Sequence, residues 1–164
     1  MNVSYRWLAA LLPELDATPE KIADTLALRG APVEGTTSSA QGLEDLVVGR
    51  VIQAGPHPNA DRLSLCVVDG GDGEVPVVCG APNIREGAYY PFAPVGAVLP
   101  GDFEIKEAKI RGERSVGMLC SAKELGLGAD HSGILEIPGE HHPGTPFVEA
   151  AGLDDVTLDV EITA

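Results

Sequence analysis

Lys106, Lys109, Arg111 and Arg114 place four of the chain's eleven basic side chains within nine positions. Ammonium and guanidinium groups at that density bind anions, phosphates above all, through charge-assisted hydrogen bonds. Glu107 and Glu113 fall in the same run, so four positive charges against two negative leave it at +2. The alternative reading is a solvated strand pair of mixed charge that holds no ligand. Nothing comparable suits bond-making chemistry, and no catalytic set is expected. Ser115 sits in Glu-Arg-Ser-Val-Gly, which lacks the first glycine of a nucleophile elbow, and no histidine is placed to activate it. His57 precedes Pro58 and reads as a hydrogen-bonding turn residue rather than a base or a ligand. His131, His141 and His142 lie among Gly, Pro and acidic residues with no further ligands at zinc spacing, so no metal site is expected. Cys66, Cys79 and Cys120 contain no C-x-x-C pair, and each lies in an apolar, strand-like setting where a free thiol acts as a small hydrophobe.

A formal charge of −14 argues against a surface that grips phosphates everywhere. Residues 1–38 hold three basic and five acidic side chains, residues 39–151 eight and sixteen, and residues 152–164 none and four. No segment is basic overall, and any contact with nucleic acid must use a local patch, which screening over about 8 Å at physiological salt permits. The chain is 44% hydrophobic and 22% charged, which excludes disorder. No apolar run approaches the roughly 18 residues of a membrane span, and the N-terminus lacks a secretory pattern, so a cytoplasmic protein without membrane contact is expected.

The elements that must position the basic run are mostly strands. Ser4 is expected to cap a helix burying Trp7, Leu8, Leu11 and Leu12 on one face, ended by Pro13. Thr18 as N-cap, Pro19 at the first helical position, Glu20 in the first turn and Gly30 as the stop predict a second helix with an Ile22–Leu26 apolar pair. Neither helix can bury its face on the other alone. Pro32–Thr36 reads as a short strand, and Thr36–Gly42 as a polar linker at a domain boundary. From Leu46 the runs 46–54, 63–69, 74–80, 88–96, 98–110 and 116–121 read as strands, with 133–138 as the last strand of a barrel and 122–127 as one or two helical turns. The Asp69–Glu74 segment is a hairpin loop, since neither an EF-hand spacing nor a following Gly-Lys-Ser/Thr is present. Gly96, Gly101, Gly112 and Gly117 are spaced as corners of a small barrel. This pattern predicts an OB-type barrel. Val156–Thr163 alternates apolar and polar residues as one half-buried strand with nothing after it, as if cut from a longer chain.

Four blocks, His-Pro-Asn-Ala-Asp-Arg-Leu from His57, Val-Val-Cys-Gly-Ala-Pro-Asn from Val77, the stretch Leu99–Gly112, and Arg114–Leu127, resemble the tRNA-binding OB domain of the cytokine-like EMAP type. With residues 4–15, 128–138 and 153–163, the resemblance extends over the whole chain to the N-terminal region of the bacterial phenylalanyl-tRNA synthetase β subunit family. It implies a mostly β, α+β fold in which an OB-fold barrel, residues 40–151, is inserted into a small, incomplete α+β domain of residues 1–39 completed by 152–164. It further implies a non-catalytic tRNA-binding or structural module of a class II ligase. The full enzyme would use ATP and magnesium and pair the chain with a catalytic α subunit in an α2β2 assembly, while the fragment itself needs no cofactor. His57, Asn59, Arg62, Asn83, Ser115, Met118 and Ser121 fall on matched positions, and the resemblance implies RNA contact there beside Lys106, Lys109, Arg111 and Arg114. Asn59 and Asp61 are alternatively braces of their turn. Aromatic residues make up only 4% of the chain. Tyr89 and Tyr90 are strand neighbours, one pointing inward, and Phe92 and Phe103 are expected in the core, so weak, backbone-directed contact with structured RNA is expected. The competing readings are a purely structural interdomain module and a stand-alone OB-fold RNA-binding protein.

Overall fold

The computed structural model describes residues 1–162. Its elements run β1 (Asn2–Ser4), α1 (Tyr5–Leu11), α2 (Pro19–Leu28), β2 (Val33–Ser38), β3 (Val47–His57), β4 (Ala60–Asp69), β5 (Glu74–Cys79), β6 (Tyr89–Ala93), β7 (Val98–Leu99) and β8 (Phe103–Glu104). Then come β9 (Ala108–Ile110), β10 (Glu113–Ser115), β11 (Met118–Leu119), α3 (Phe147–Ala150) and β12 (Val156–Val160). Strands predominate, and the chain divides into two compact units, Met1–Gln41 with the stretch from Gly152, and Gly42–Ala151.

In the discontinuous unit β12 lies between β1 and β2 in an antiparallel sheet, and its Leu158 and Val160 are buried. Ser4 Oγ accepts the Trp7 N–H and caps α1, and Thr18 Oγ1 accepts the Lys21 N–H at the start of α2. The far end of α2 closes as a Schellman motif: Gly30 at φ +83° donates to Ala27 O, and Ala31 donates to Leu26 O. The expected burial of Trp7, Leu11 and Leu12 does not occur, for they stand 61%, 59% and 54% exposed. A three-stranded sheet is too narrow to cover both helices. The helices and β12 instead border an open apolar groove of about 560 Å³, lined by Leu8, Leu12, Leu15, Ile22, Leu26 and Val160. Ile162 is also exposed, and Thr163, expected to continue the alternation, lies outside the described residues. Thr36–Ser38, expected as linker, is strand because it pairs with Val156–Leu158.

The continuous unit is the barrel. Its sheet order is β11-β6-β3-β4-β5, and the ends meet where Pro76 O accepts the Val116 N–H at 2.8 Å. Val51, Cys66, Val68, Val77, Tyr90, Phe92 and Leu119 fill the interior. Phe92 is seated among Gly49, Gly70 and Gly117, where any Cβ would stand 2.5 to 2.8 Å from its atoms. Strands β3 and β4 run further than expected, leaving only Pro58 and Asn59 between His57 and Ala60. The expected strand over 98–110 is broken into the β7–β8 hairpin and the first arm of β9–β10. Residues 133–138 are not a ladder strand: Leu135 donates to Cys120 O, Ile137 to Tyr89 O, and a side chain supplies the remaining partner. Residues 122–127 form hydrogen-bonded turns. Among the described residues no helix is long and apolar enough to cross a membrane.

Candidate nucleic-acid interface

The basic run is displayed by the β9–β10 hairpin. Arg111 at φ +52° and Gly112 at φ +99° form its two-residue turn, the left-handed pair that matches strand twist. Arg111 therefore projects from the tip. Register places Lys109 directly opposite Arg114, and like charges so placed repel unless something neutralises one. Glu107 does so, accepting from Arg114 Nε at 2.6 Å and Nη2 at 3.0 Å. That fork of hydrogen bonds holds the Glu107 carboxyl below its ordinary range and pushes the Arg114 guanidinium up. Lys106 Nζ lies 3.1 Å from Glu104 Oε2. All four cations are exposed, and among the described residues no ion pair holds Lys109 or Arg111.

The β3–β4 turn is fastened to this hairpin by a buried imidazole. His57 Nδ1 accepts the Asn59 N–H at 3.0 Å, so the neutral ring carries its proton on Nε2 and donates it to Ile110 O at 3.2 Å. The ring of His57, rather than Asn59 or Asp61, braces the turn. Asn59 and Arg62 remain exposed, and the Asn59 amide lies beside Gly112.

Five of the residues expected to touch RNA make contacts within the fold, Asn83 from an exposed position. His57 is 5% exposed with both ring nitrogens engaged. Asn83 clamps a backbone as a strand would, its Nδ2 donating to Ile134 O at 2.8 Å and its Oδ1 accepting the Ile134 N–H at 3.0 Å. Ser115 is buried, accepting the Val78 N–H at 3.0 Å and donating to Gly117 O at 3.4 Å. Ser121 is buried too, with its hydroxyl and its N–H both 2.6 Å from Glu124 Oε2. This is a capping box, and Ser-Ala-Lys-Glu was its readable signal. Met118 is half-buried and pairs with Ala93 in the barrel ladder. Among the aromatics, Tyr90 points inward and is buried. Tyr89 has the Arg50 guanidinium 5.9 Å above its centroid and the His141 ring edge-on at 5.6 Å. Phe103, expected in the core, is 57% exposed.

The three cysteines are buried. Burial pushes the Cys66 and Cys120 thiols up to about 12, and the Glu124 carboxylate raises Cys120 further. Only thiolates attack disulfide reagents. A colourless endpoint is therefore expected for the folded chain with an aromatic disulfide reagent at pH 8, and three thiols should titrate once denaturant is added.

The family model described as "Putative tRNA binding domain" matches residues 46–146, a span that holds every basic and turn residue of this interface. The chain belongs to that tRNA-binding domain family. It is 45% identical over 163 residues to the phenylalanine–tRNA ligase beta subunit of Geobacter metallireducens, covering 99% of this chain and 20% of the relative. It is 48% identical over 164 residues to that of Anaeromyxobacter dehalogenans, with the same coverage. The chain thus spans about a fifth of the length of these relatives, and what it resembles is their N-terminal region. A solved structure titled as a MetRS related protein from Pyrococcus horikoshii matches with TM-score 0.46 and 23% identity, over 61% of this chain and 85% of the other.

Proposed function

We propose that the tip of the β9–β10 hairpin, with Asn59 beside it and together with Arg62, exposed on β4, contacts the phosphate backbone of tRNA. The observation that carries this reading is that Lys109 and Arg111 stand exposed, with no ion pair among the described residues, inside the segment the tRNA-binding family matches. The sixteen acidic residues against eight basic in residues 39–151 favour weak, backbone-directed binding over base readout.

The likeness to far longer relatives supports a place at the N-terminus of a phenylalanine–tRNA ligase β subunit, a class II synthetase of the cytoplasm. There this module would be non-catalytic, assisting attachment of phenylalanine to its tRNA while a catalytic α subunit, in an α2β2 assembly, uses ATP and magnesium.

The test is a titration of the 164-residue chain with a tRNA transcript, followed by fluorescence anisotropy over a range of salt. Log affinity should fall linearly with log salt, and Lys109→Ala with Arg111→Ala should cost roughly tenfold at low salt and flatten the slope by about 1 to 2. Absence of binding at every salt concentration would instead favour a module that packs against neighbouring domains, a reading supported by the carboxylates already held by Lys106 and Arg114.

A further inference from the structure

The β9–β10 hairpin is a two-stranded sheet of its own, three residues to a strand. An isolated ribbon of that size is marginal in water. Its turn is strained as well, because Arg111 at φ +52° occupies a region that favours glycine. The base of the hairpin is fastened to β5, where Ser115 accepts the Val78 N–H and Val116 donates to Pro76 O. Along residues 107–114, one hydrogen bond among the described residues reaches the rest of the barrel, and it is His57 Nε2 donating to Ile110 O. The Ile110 carbonyl lies in the same peptide plane as the Arg111 nitrogen, so holding that oxygen fixes the plane from which the strained turn departs. The brace of the β3–β4 turn needs only Nδ1, which accepts the Asn59 N–H. The second nitrogen serves the hairpin. At 5% exposed, the ring itself offers RNA no surface.

We infer that His57 is the positioning residue of this interface: its Nε2–H tether holds the Lys109–Arg111 tip in the pose that meets phosphate, so the tip is ordered before tRNA arrives. The inference rests on the proposed function and adds to it a residue that acts on RNA only through the hairpin. The two are separable because removing cations flattens the salt slope, whereas loosening their mount lowers affinity without changing how many counterions are released.

Two replacements divide the ring's two bonds. His57→Gln places an amide N–H where Nε2 stands and gives up the acceptor for Asn59, while His57→Asn keeps an acceptor near Nδ1 and cannot reach Ile110. In anisotropy titrations with the tRNA transcript, His57→Asn should bind about 3- to 10-fold more weakly at every salt concentration, with the parent's salt slope. His57→Gln should bind within about twofold of the parent. Hydrogen exchange followed by NMR should show the β9 and β10 amides opening faster in His57→Asn but not in His57→Gln, with the amides of β3 and β4 as slow as in the parent. Parent-like binding by His57→Asn, an equal loss in both variants, or hairpin amides unaltered in His57→Asn overturns the inference and leaves the cationic contact standing. A parent chain that binds no tRNA at any salt overturns both. Should His57→Asn fail to fold, His57→Gln decides alone: retained affinity with parent-like hairpin protection upholds the tether, and lost affinity overturns it.

Discussion

Gly117→Ala is expected to cost the barrel about 3 kcal/mol, through a clash and a backbone strain that add. A Cβ at this position would stand 2.5 Å from Phe92 Cε2, 2.6 Å from its Cζ and 2.8 Å from Ala93 O. The ring could swing away only by vacating the core that it shares with Leu119 and Val68. The carbonyl has less freedom, because Ala93 is held opposite Met118 in the β6–β11 ladder. Added to this is φ +96°, where an L side chain meets its own backbone. Gly101→Ala is the control: its φ is +87°, but a Cβ there meets nothing within 4 Å. It should lose only the backbone part, about 1 kcal/mol. Urea unfolding of the two variants measures both, and their difference is the packing cost of closing the barrel around Phe92. Equal losses would mean that the seat is looser than these distances require.

The glycine corners were legible because positive φ is a local demand that few residues meet, and Gly96, Gly101, Gly112 and Gly117 all adopt it. The helix caps were legible for the same reason: Ser4, Thr18 and Gly30 act within three residues of where they stand. The short strand β1 was not, since its existence depends on pairing Asn2 with Asp159, far away in sequence. Apolar periodicity marked one face of α1 but could not say whether anything covers it, and Trp7 and Leu11 stay in solvent. The same limit explains the interface. Lys109, Arg111 and Arg114 were found together because charge density is a property of the string, and the hairpin register keeps Lys109 and Arg114 adjacent. Asn83 and Ser115 have side chains fit for RNA, yet each meets a backbone partner more than thirty positions away, and no local pattern distinguishes the two uses. Residues 133–138 read as a strand, but the Asn83 amide takes the place of the neighbour such a strand would need.

Glu104→Gln combined with Glu107→Gln should strengthen tRNA binding by about tenfold or more at low salt and steepen the salt slope by about 2, one step for each cation released. The sign follows from geometry. Arg114 is engaged through both Nε and Nη2, and Lys106 lies 3.1 Å from its carboxylate, so a phosphate must compete with Glu107 and Glu104 before it can reach either cation. Exposed pairs of this kind are weak enough to be displaced, but the displaced carboxylates then remain beside the incoming phosphate and repel it. Glutamine keeps the shape and the hydrogen-bonding reach while removing that charge. Glu113→Gln separates this local effect from the overall one: it also removes one negative charge near the tip, but Glu113 holds no cation in an ion pair among the described residues. Its effect on the slope should be small, because it frees no new phosphate contact. If all three glutamine replacements raise affinity by the same factor, the two ion pairs do not restrain Lys106 and Arg114, and the barrel responds to its net charge alone.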